Sequence, residues 1–344
     1  MATERYLFLG GHRKCGTTML LDLFDGHPGC CVYPTDLAVL YGYFPVWTAS
    51  DRSVDERLDR LDLVVFGTLA KIRERHRLHD RLDVETMRSH FFDHLDPSGT
   101  DRIDVVIRQV VDSYRFITEQ AVEQRPVTVV KETSLEIYAR ELGELFPGSQ
   151  FVQVVRDPRD NMGALQAGVE KRYKEIGETE RHILASLIHR TGLGLRLVPA
   201  NREALGDSRF RTMSFEDLTM DARAQLERLC RFTGLQYAPA MDGPTIMGLP
   251  TGGNNFEGER FTSVSRRNVG RWRDRTSEFA AQVIEFHLGD VMEAHGYRLE
   301  FPPAERARAA SEFYRWTNYQ YFYRDGFTRL RGLTARPSGE FSQD

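Results

Sequence analysis

The sequence predicts an α/β fold in which helices flank a central, largely parallel sheet, in one domain over residues 1–335 with a flexible tail at 336–344. Two observations support this fold. Short apolar runs alternate with longer helical patterns, and the first run ends in a glycine-rich turn that leads into a helix. The composition of the 344 residues, 41% hydrophobic and 28% charged, indicates a globular protein and excludes a disordered chain.

The first elements follow from the apolar pattern near the N-terminus. Residues 6–9 predict a buried strand that ends at Gly10. Residues 17–24 carry an apolar stripe with helical spacing, and the turn Gly26-His27-Pro28 ends this helix. Further strands are predicted at 127–131, 150–155 and 210–214, and further helices at about 134–145 and 221–232.

A helical insertion at about residues 50–124 separates the first βα unit from the next predicted strand. Its three segments, 55–78, 84–95 and 101–124, have helical periodicity and no strand pattern. These helices either cap a ligand crevice or pack beside the sheet, and the sequence leaves both arrangements open. Residues 240–262 are rich in glycine, proline and asparagine, which predicts a mobile loop.

The charge balance, 46 basic against 50 acidic residues, gives a net charge of −4 and argues against nucleic acid as a partner. The four cysteines form neither a C-x-x-C pair nor a zinc-ligand spacing, which indicates a reducing compartment and no metal site. The first apolar stretch, Tyr6–Leu9, is only four residues long, too short for a signal peptide or a transmembrane segment. We therefore expect a cytoplasmic protein.

The most informative local feature is the stretch Gly10-Gly-His-Arg-Lys-Cys-Gly-Thr-Thr18 between the first strand and helix. Such a turn directs backbone N–H groups and a helix N-terminus toward an anion. Gly11 and Gly16 have the spacing of G-x-x-x-x-G-K-[ST], but the lysine that should follow the second glycine is missing. Lys14 lies inside the loop instead, where it would project toward a group that leaves or bridges a bound phosphate.

Two later segments also suggest phosphate binding. Arg156 stands at the end of a predicted strand, where open α/β sheets bind ligands. It suits a second phosphate, although Asp157 imitates a magnesium-binding acid. The alternative is that Arg156 simply pairs with Asp157 or Asp160. Five arginines then occur within eleven residues, either as a phosphate clamp or as a solvated basic face: Arg266, Arg267, Arg271, Arg273 and Arg275.

In this order, these blocks resemble the signature segments of the sulfotransferases that use 3′-phosphoadenosine 5′-phosphosulfate (PAPS). The matching segments are Lys14-Cys-Gly-Thr-Thr18, Val154-Val-Arg-Asp-Pro-Arg-Asp160, Ser214-Phe-Glu-Asp-Leu218 and Arg266 to Trp272. The resemblance implies a P-loop-like domain that transfers a sulfuryl group from PAPS to a hydroxyl or amine of a small-molecule, glycan or lipid-type acceptor. It also implies in-line displacement without a required metal, and adenosine 3′,5′-bisphosphate as the product.

The resemblance assigns the site residues as well. Lys14 to Thr18 would hold the 5′-phosphosulfate, Arg156 would bind the 3′-phosphate, and Arg266 and Arg267 would close on that phosphate. The predicted cofactor-binding residues are Arg13, Lys14, Cys15, Gly16, Thr17, Thr18, Arg156, Arg266 and Arg267. The family usually has a serine eight residues after the arginine, where this chain has Ala164, so one hydroxyl contact is expected to be absent.

The chemistry needs charge stabilisation on the leaving oxygen and a base for the acceptor. Lys14 is the predicted catalytic cation. Many relatives place a histidine two residues after the strand-end lysine, but this chain has Thr133 there. Glu132 and Asp36 remain as candidate bases, and we favour Glu132. Each acid could instead serve as a helix cap or a loop charge.

Three further expectations concern the thiol, the aromatic residues and alternative functions. Cys15, beside Lys14 at a helix N-terminus, is predicted to be a reactive thiol. Aromatic clusters near 41–47 and 314–323 line either the acceptor site, the core or a homodimer interface. The alternatives to a sulfotransferase are a P-loop nucleotide kinase and a catalytically idle PAPS-binding protein.

Overall fold

The computed structural model describes residues 4–44, 51–169, 175, 177–253, 258, 261 and 263–316. Its main sheet has the strand order β2-β3-β1-β4-β5, and every pair of neighbouring strands is parallel. The strands are β1 (Arg5–Gly10), β2 (Cys30–Asp36), β3 (Val127–Lys131), β4 (Gln150–Val155) and β5 (Phe210–Ser214). The predicted parallel α/β fold is therefore confirmed, and a short antiparallel hairpin of β6 (Thr245–Ile246) and β7 (Leu249–Pro250) adds to it.

The helices connect the strands and cover both faces of the sheet. In chain order they are α1 (Thr17–Phe24), α2 (Val54–Leu61), α3 (Gly67–His76), α4 (Val84–His94), α5 (Ile103–Thr118), α6 (Ala139–Leu145), α7 (Pro158–Gln166), α8 (Glu180–Arg196), α9 (Val198–Leu205), α10 (Phe215–Met220), α11 (Ala222–Thr233), α12 (Trp272–Arg275), α13 (Glu278–Ala294) and α14 (Pro303–Tyr314). A π-helical turn joins α2 to α3, and a 3₁₀ turn precedes α6, so the predicted helices 55–78 and 134–145 are each divided. In the part of the chain that the structure describes, no helix is both long and apolar enough to cross a bilayer.

Among the strands of the main sheet, β2 was not predicted from the sequence. It contains Pro34, which lacks an N–H group and is therefore unusual in a strand interior. The strand tolerates proline because it lies at the edge of the sheet, where only β3 pairs with it, and its register shifts between Val32 and Asp36. The helical insertion thus follows β2 rather than α1.

The side chains of β1 alternate between two buried clusters, as strand geometry requires. Tyr6 and Phe8 pack with helices α2 to α5, whereas Leu7 and Leu9 pack with α1 and α11. The insertion helices therefore share one core with the sheet and cover one of its faces, which corresponds to packing beside the sheet. A third cluster joins α7, α8, α13 and α14 next to the sheet.

Some predictions fall outside the described residues. These are the tail at 336–344, Trp47 of the first aromatic cluster, and Tyr319, Tyr321, Phe322 and Tyr323 of the second. In the predicted loop 240–262, the described part contains the β6–β7 hairpin.

Candidate active site

The loop between β1 and α1 is shaped by residues with a left-handed backbone. Gly11 and Gly16 have φ values of 140° and 110°, and Lys14 between them has φ of 65°. Neither glycine has room for a side chain, because a Cβ at Gly11 would lie 2.5 Å from the Cys15 sulfur and a Cβ at Gly16 would lie 2.5 Å from the Phe215 ring. The loop can therefore turn sharply at the carboxyl end of β1 before α1 begins.

The Cys15 side chain packs against Gly11 inside the loop. Its side chain is buried, and burial raises the pKa of the thiol to about 12. Its backbone N–H donates to the His12 carbonyl oxygen at 3.2 Å. The prediction of a reactive thiol is wrong, because the cost of a buried thiolate exceeds what the Thr17 N–H group and the cations Arg156 and Lys131 offset.

Arg156, at the carboxyl end of β4, connects two distant parts of the chain. Its guanidinium donates to the carbonyl oxygens of Lys14 and Asn268, at 2.7 Å each, and lies 4.4 Å from the centre of the Phe215 ring. Burial lowers the pKa of this guanidinium, partly offset by Asp160 nearby. A bound anion would stabilise such a buried cation.

The acids beside Arg156 have partners of their own. Asp157 forms an ion pair with Arg159 at 2.8 Å and accepts the Arg159 backbone N–H at the start of α7. Asp160 accepts the backbone N–H groups of Gly270 and Trp272 at 2.6 and 2.7 Å. Among the described residues, the hydrogen bonds of Arg156 go to backbone carbonyl oxygens and not to Asp157 or Asp160. This differs from the direct pairing that the sequence left open.

A cavity of about 150 Å³ lies between the loop, α1, α7 and the segment 263–275. The basic and hydroxyl-bearing residues that line it are Lys14, Thr17, Thr18, Arg156, Ser263, Ser265 and Arg275. Gly16 lines it too, so five of the predicted cofactor-binding residues meet here. Ala164 also lines the cavity, at the position where the family usually has a serine.

The remaining predicted residues lie elsewhere. The Arg13 guanidinium donates to Glu178 at 3.3 Å and to the Ser186 hydroxyl at 3.2 Å, so its side chain is directed toward α8. Arg266 and Arg267 are exposed in a 3₁₀ turn next to the cavity, which their neighbours Ser265 and Asn268 line. Their role in closing on a phosphate stays a prediction.

The cavity residues that were not singled out from the sequence as site residues include Asp22, Phe215, Asn268 and Arg275. Asp22 follows Thr18 by one helical turn, and this i, i+4 spacing was the available signal. Burial raises the pKa of the Asp22 carboxyl group. Phe215 and Arg275 belong to segments noticed in the sequence, but their contacts with Arg156 and Asn268 depend on the fold.

The two candidate bases differ sharply in their surroundings. Asp36, at the end of β2, forms an ion pair with Lys131 at 2.8 Å and accepts the Thr133 backbone N–H at 3.2 Å, and its side chain is 38% exposed. Glu132 is 1% exposed and accepts the N–H groups of Leu40 and Tyr41 at 2.9 and 2.5 Å. Burial raises the pKa of Glu132 to about 8, against the opposing effect of these two N–H groups.

Comparison with known proteins identifies the family of this chain. The model of the sulfotransferase family matches residues 7–239. The chain belongs to the sulfotransferase family. It is 21% identical over 336 aligned positions to the omega-hydroxy-beta-dihydromenaquinone-9 sulfotransferase of Mycobacterium tuberculosis, which covers 88% of this chain and 78% of that protein.

Two solved structures share the fold of this sulfotransferase. The sulfotransferase domain from the curacin biosynthetic pathway aligns with a TM-score of 0.57 at 16% identity, covering 87% of this chain and 100% of that one. The sulfotransferase domain of the Synechococcus PCC 7002 olefin synthase aligns with a TM-score of 0.52 at 17% identity, covering 87% and 98%. The predicted family, fold class and enzyme class are therefore confirmed.

Proposed function

We propose that this sulfotransferase uses PAPS as the donor and transfers the sulfuryl group in line to a hydroxyl or amine of a small-molecule, glycan or lipid-type acceptor. The observation that carries the proposal is the position of Arg156, which hydrogen-bonds to both sides of one cavity, the loop and the segment 263–275. A donor with phosphate groups at both ends of a nucleoside needs cationic groups at two places, and this cavity provides them.

The residues present fit such a donor. Lys14, Thr17 and Thr18 would hold the phosphosulfate end, and Arg156 with Arg275 would hold the 3′-phosphate. PAPS would supply an activated sulfuryl group and a nucleotide phosphate as the leaving group. Lys14 and the N-terminus of α1 would stabilise the negative charge that develops on the leaving oxygen.

We assign the base to Asp36 rather than to Glu132, which the sequence analysis favoured. Asp36 is partly exposed beside Lys131, so an acceptor can approach its carboxylate. Both oxygens of Glu132 accept backbone N–H groups in the interior, so Glu132 holds the chain that follows β2 in place. Lys131 would orient Asp36 and could also contact the sulfuryl oxygens.

The paired variants Asp36→Asn and Glu132→Gln test this assignment. Release of adenosine 3′,5′-bisphosphate from PAPS is measured with a panel of phenols, sugars, amines and long-chain alcohols. Asp36→Asn should lower turnover by about 10²–10⁴-fold, because a general base typically contributes that factor. Its melting temperature is recorded alongside, because buried Lys131 loses its charged partner in this variant. Glu132→Gln should mainly lower the melting temperature. Full activity of Asp36→Asn, with loss of turnover in a stably folded Glu132→Gln, would reverse the assignment.

The same assay separates a sulfotransferase from the two alternatives, a nucleotide kinase and a catalytically idle PAPS-binding protein. A kinase would need Asp157 to hold magnesium, whereas Asp157 pairs with Arg159 and caps α7. An idle binding protein would bind the bisphosphate yet release none from PAPS with any acceptor. The name of the mycobacterial relative includes a hydroxylated dihydromenaquinone, which is why long-chain lipid alcohols belong in the panel.

A further inference from the structure

A second, much smaller cavity of about 10 Å³ lies behind the nucleotide loop, with room for about one water molecule. Polar side chains from several parts of the chain line it: His12, Glu136, Gln153, Arg156, Asn161 and Thr191. Each has at least one buried polar atom without a hydrogen-bond partner. Buried polar atoms are normally satisfied, so this cluster calls for a physical explanation.

Glu136 is at the centre of this cluster and touches the base of the loop. Its carboxyl group is wedged between β1 and α8, since a Cβ at Gly10 would lie 2.8 Å from Oε2 and a Cβ at Gly194 would lie 2.5 Å from Oε1. The backbone N–H groups of Gly11 and of Glu136 itself face the carboxyl group and favour its charged form. Glu136 is thus in contact with the residues at which the loop begins.

The unpartnered atoms include more acceptors than donors. Oxygen atoms of Glu136, Gln153 and Asn161 all lack donors. The orientation of Asn161 is fixed, because its amide nitrogen donates to the Arg13 carbonyl oxygen at 2.7 Å. Donors for these oxygens are the Nε–H of Arg156, which lines the same cavity and is also unpartnered, one His12 ring N–H, the Thr191 hydroxyl and a water molecule. A proton on Glu136 Oε2 would turn one acceptor into a further donor.

We propose that Glu136 is a positioning residue of the nucleotide loop and takes up a proton when an anionic nucleotide binds. This inference rests on the proposed donor site. A negative charge bound by the loop would face the Glu136 carboxylate from the other side of Gly11, and like charges at short range favour the neutral acid. Protonation would remove this repulsion while the carboxyl group stays in contact with Gly10 and Gly194.

The other groups near Glu136 do not replace it near neutral pH. Burial keeps the pKa of Glu136 at about 7, the pKa of His12 well below its usual value, and the pKa of Cys15 at about 12. Burial also raises the pKa of Tyr138, in the same turn as Glu136. Arg190 on α8 favours the charged form of Glu136 and works against proton uptake, as would the positive charge of Arg156, which lines the same cavity.

Isothermal titration of adenosine 3′,5′-bisphosphate tests this proposal. The titration is performed at pH 7.5 in two buffers with different ionisation enthalpies, so that the number of protons taken up is measured directly. The wild-type protein should take up more protons than Glu136→Gln, by as much as one. Its affinity should fall between pH 6.5 and 8.5 relative to the variant, by about tenfold for each unit by which the anion raises the pKa. Protonation of the bisphosphate itself contributes equally to both and cancels.

Two control variants identify the group that takes up the proton. Asp22 lines the nucleotide cavity with a raised pKa, and His12 lines the small cavity, so Asp22→Asn and His12→Gln are titrated in parallel. Uptake that persists in full in Glu136→Gln and disappears in either control would overturn the proposal. If Glu136→Gln does not fold, Glu136→Asp should shift the pH midpoint, and an unchanged midpoint would contradict the assignment. Failure of the wild-type protein to bind the bisphosphate at any pH would overturn the donor site itself.

Discussion

The two sides of the nucleotide cavity are built in different ways. The loop between β1 and α1 gets its shape from its own residues, chiefly from Gly11 and Gly16. The segment 263–275 has exposed arginines and is held by side chains that are more than one hundred positions away. Arg156 binds Asn268 across 112 positions, and Asp160 binds Gly270 across 110. The loop therefore combines a turn set by its own glycines with tertiary bonds from Arg156 and Asn161 to its carbonyl oxygens, whereas the segment 263–275 depends chiefly on tertiary contacts.

The largest effect is expected for a substitution in the loop between β1 and α1. Lys14→Ala should lower turnover by about 10²–10³-fold, because a preorganised group that stabilises developing charge typically contributes that factor. Turnover is measured as bisphosphate release from PAPS, with the melting temperature recorded alongside. Lys71→Ala removes the same charge from an exposed position on α3 and serves as the control. Equal activity of the two variants would contradict the role of Lys14.

A smaller effect is expected where Asp160 holds the other side. Asp160→Asn retains one acceptor for the two N–H groups of Gly270 and Trp272, so one hydrogen bond to a charged group, worth about 1.5–3 kcal/mol, is lost. The affinity for adenosine 3′,5′-bisphosphate should fall by the equivalent of that free energy, about 10- to 150-fold, which calorimetry measures. Asp274→Asn, at an exposed position of the same segment, should leave the affinity unchanged. An unchanged affinity in Asp160→Asn would mean that the segment does not contribute to the site.

The smallest expected effect is a gain in affinity for the bisphosphate. Ala164→Ser adds a hydroxyl group to the wall of the cavity at the position where the family usually has one. One added hydrogen bond contributes about 0.5–1.5 kcal/mol, so the bisphosphate should bind about two- to tenfold more tightly. Ala167→Ser adds a hydroxyl elsewhere in the same cavity and is the matched control. The same gain in both variants would show that the position has no specific role.

The local features of this sulfotransferase could be predicted from its sequence. Strands β1, β3 and β4 are buried runs, β5 buries Phe210 and Met213, and α1 has a clear apolar stripe between glycine-rich turns. The loop could be recognised because glycines and hydroxyl-bearing residues between a strand and a helix are typical of an anion-binding loop. Strand β2 was missed because Pro34 is tolerated only at a sheet edge, and the sequence does not show where the edge lies.

The features that the sequence could not reveal depend on burial or distant contacts. Cys15 has the neighbours of a reactive thiol, but its burial decides its pKa. Glu132 and Asp36 are both acids at strand ends, and only the fold shows that the first is enclosed by N–H groups while the second faces Lys131. Glu136 lies four positions after Glu132 and became visible through its contacts with Gly10 and Gly194.

The central claim is that both sides of the cavity bind one nucleotide with a 3′-phosphate. Thermal stabilisation by adenosine 3′,5′-bisphosphate, ADP and ATP, each with and without magnesium, tests it most directly. A ligand at 100 times its dissociation constant adds about 2.7 kcal/mol of apparent stability, or several degrees in melting temperature. We predict this shift for the bisphosphate without magnesium, well above the shift for ADP. A magnesium-dependent shift with ATP alone would contradict the account and favour a kinase.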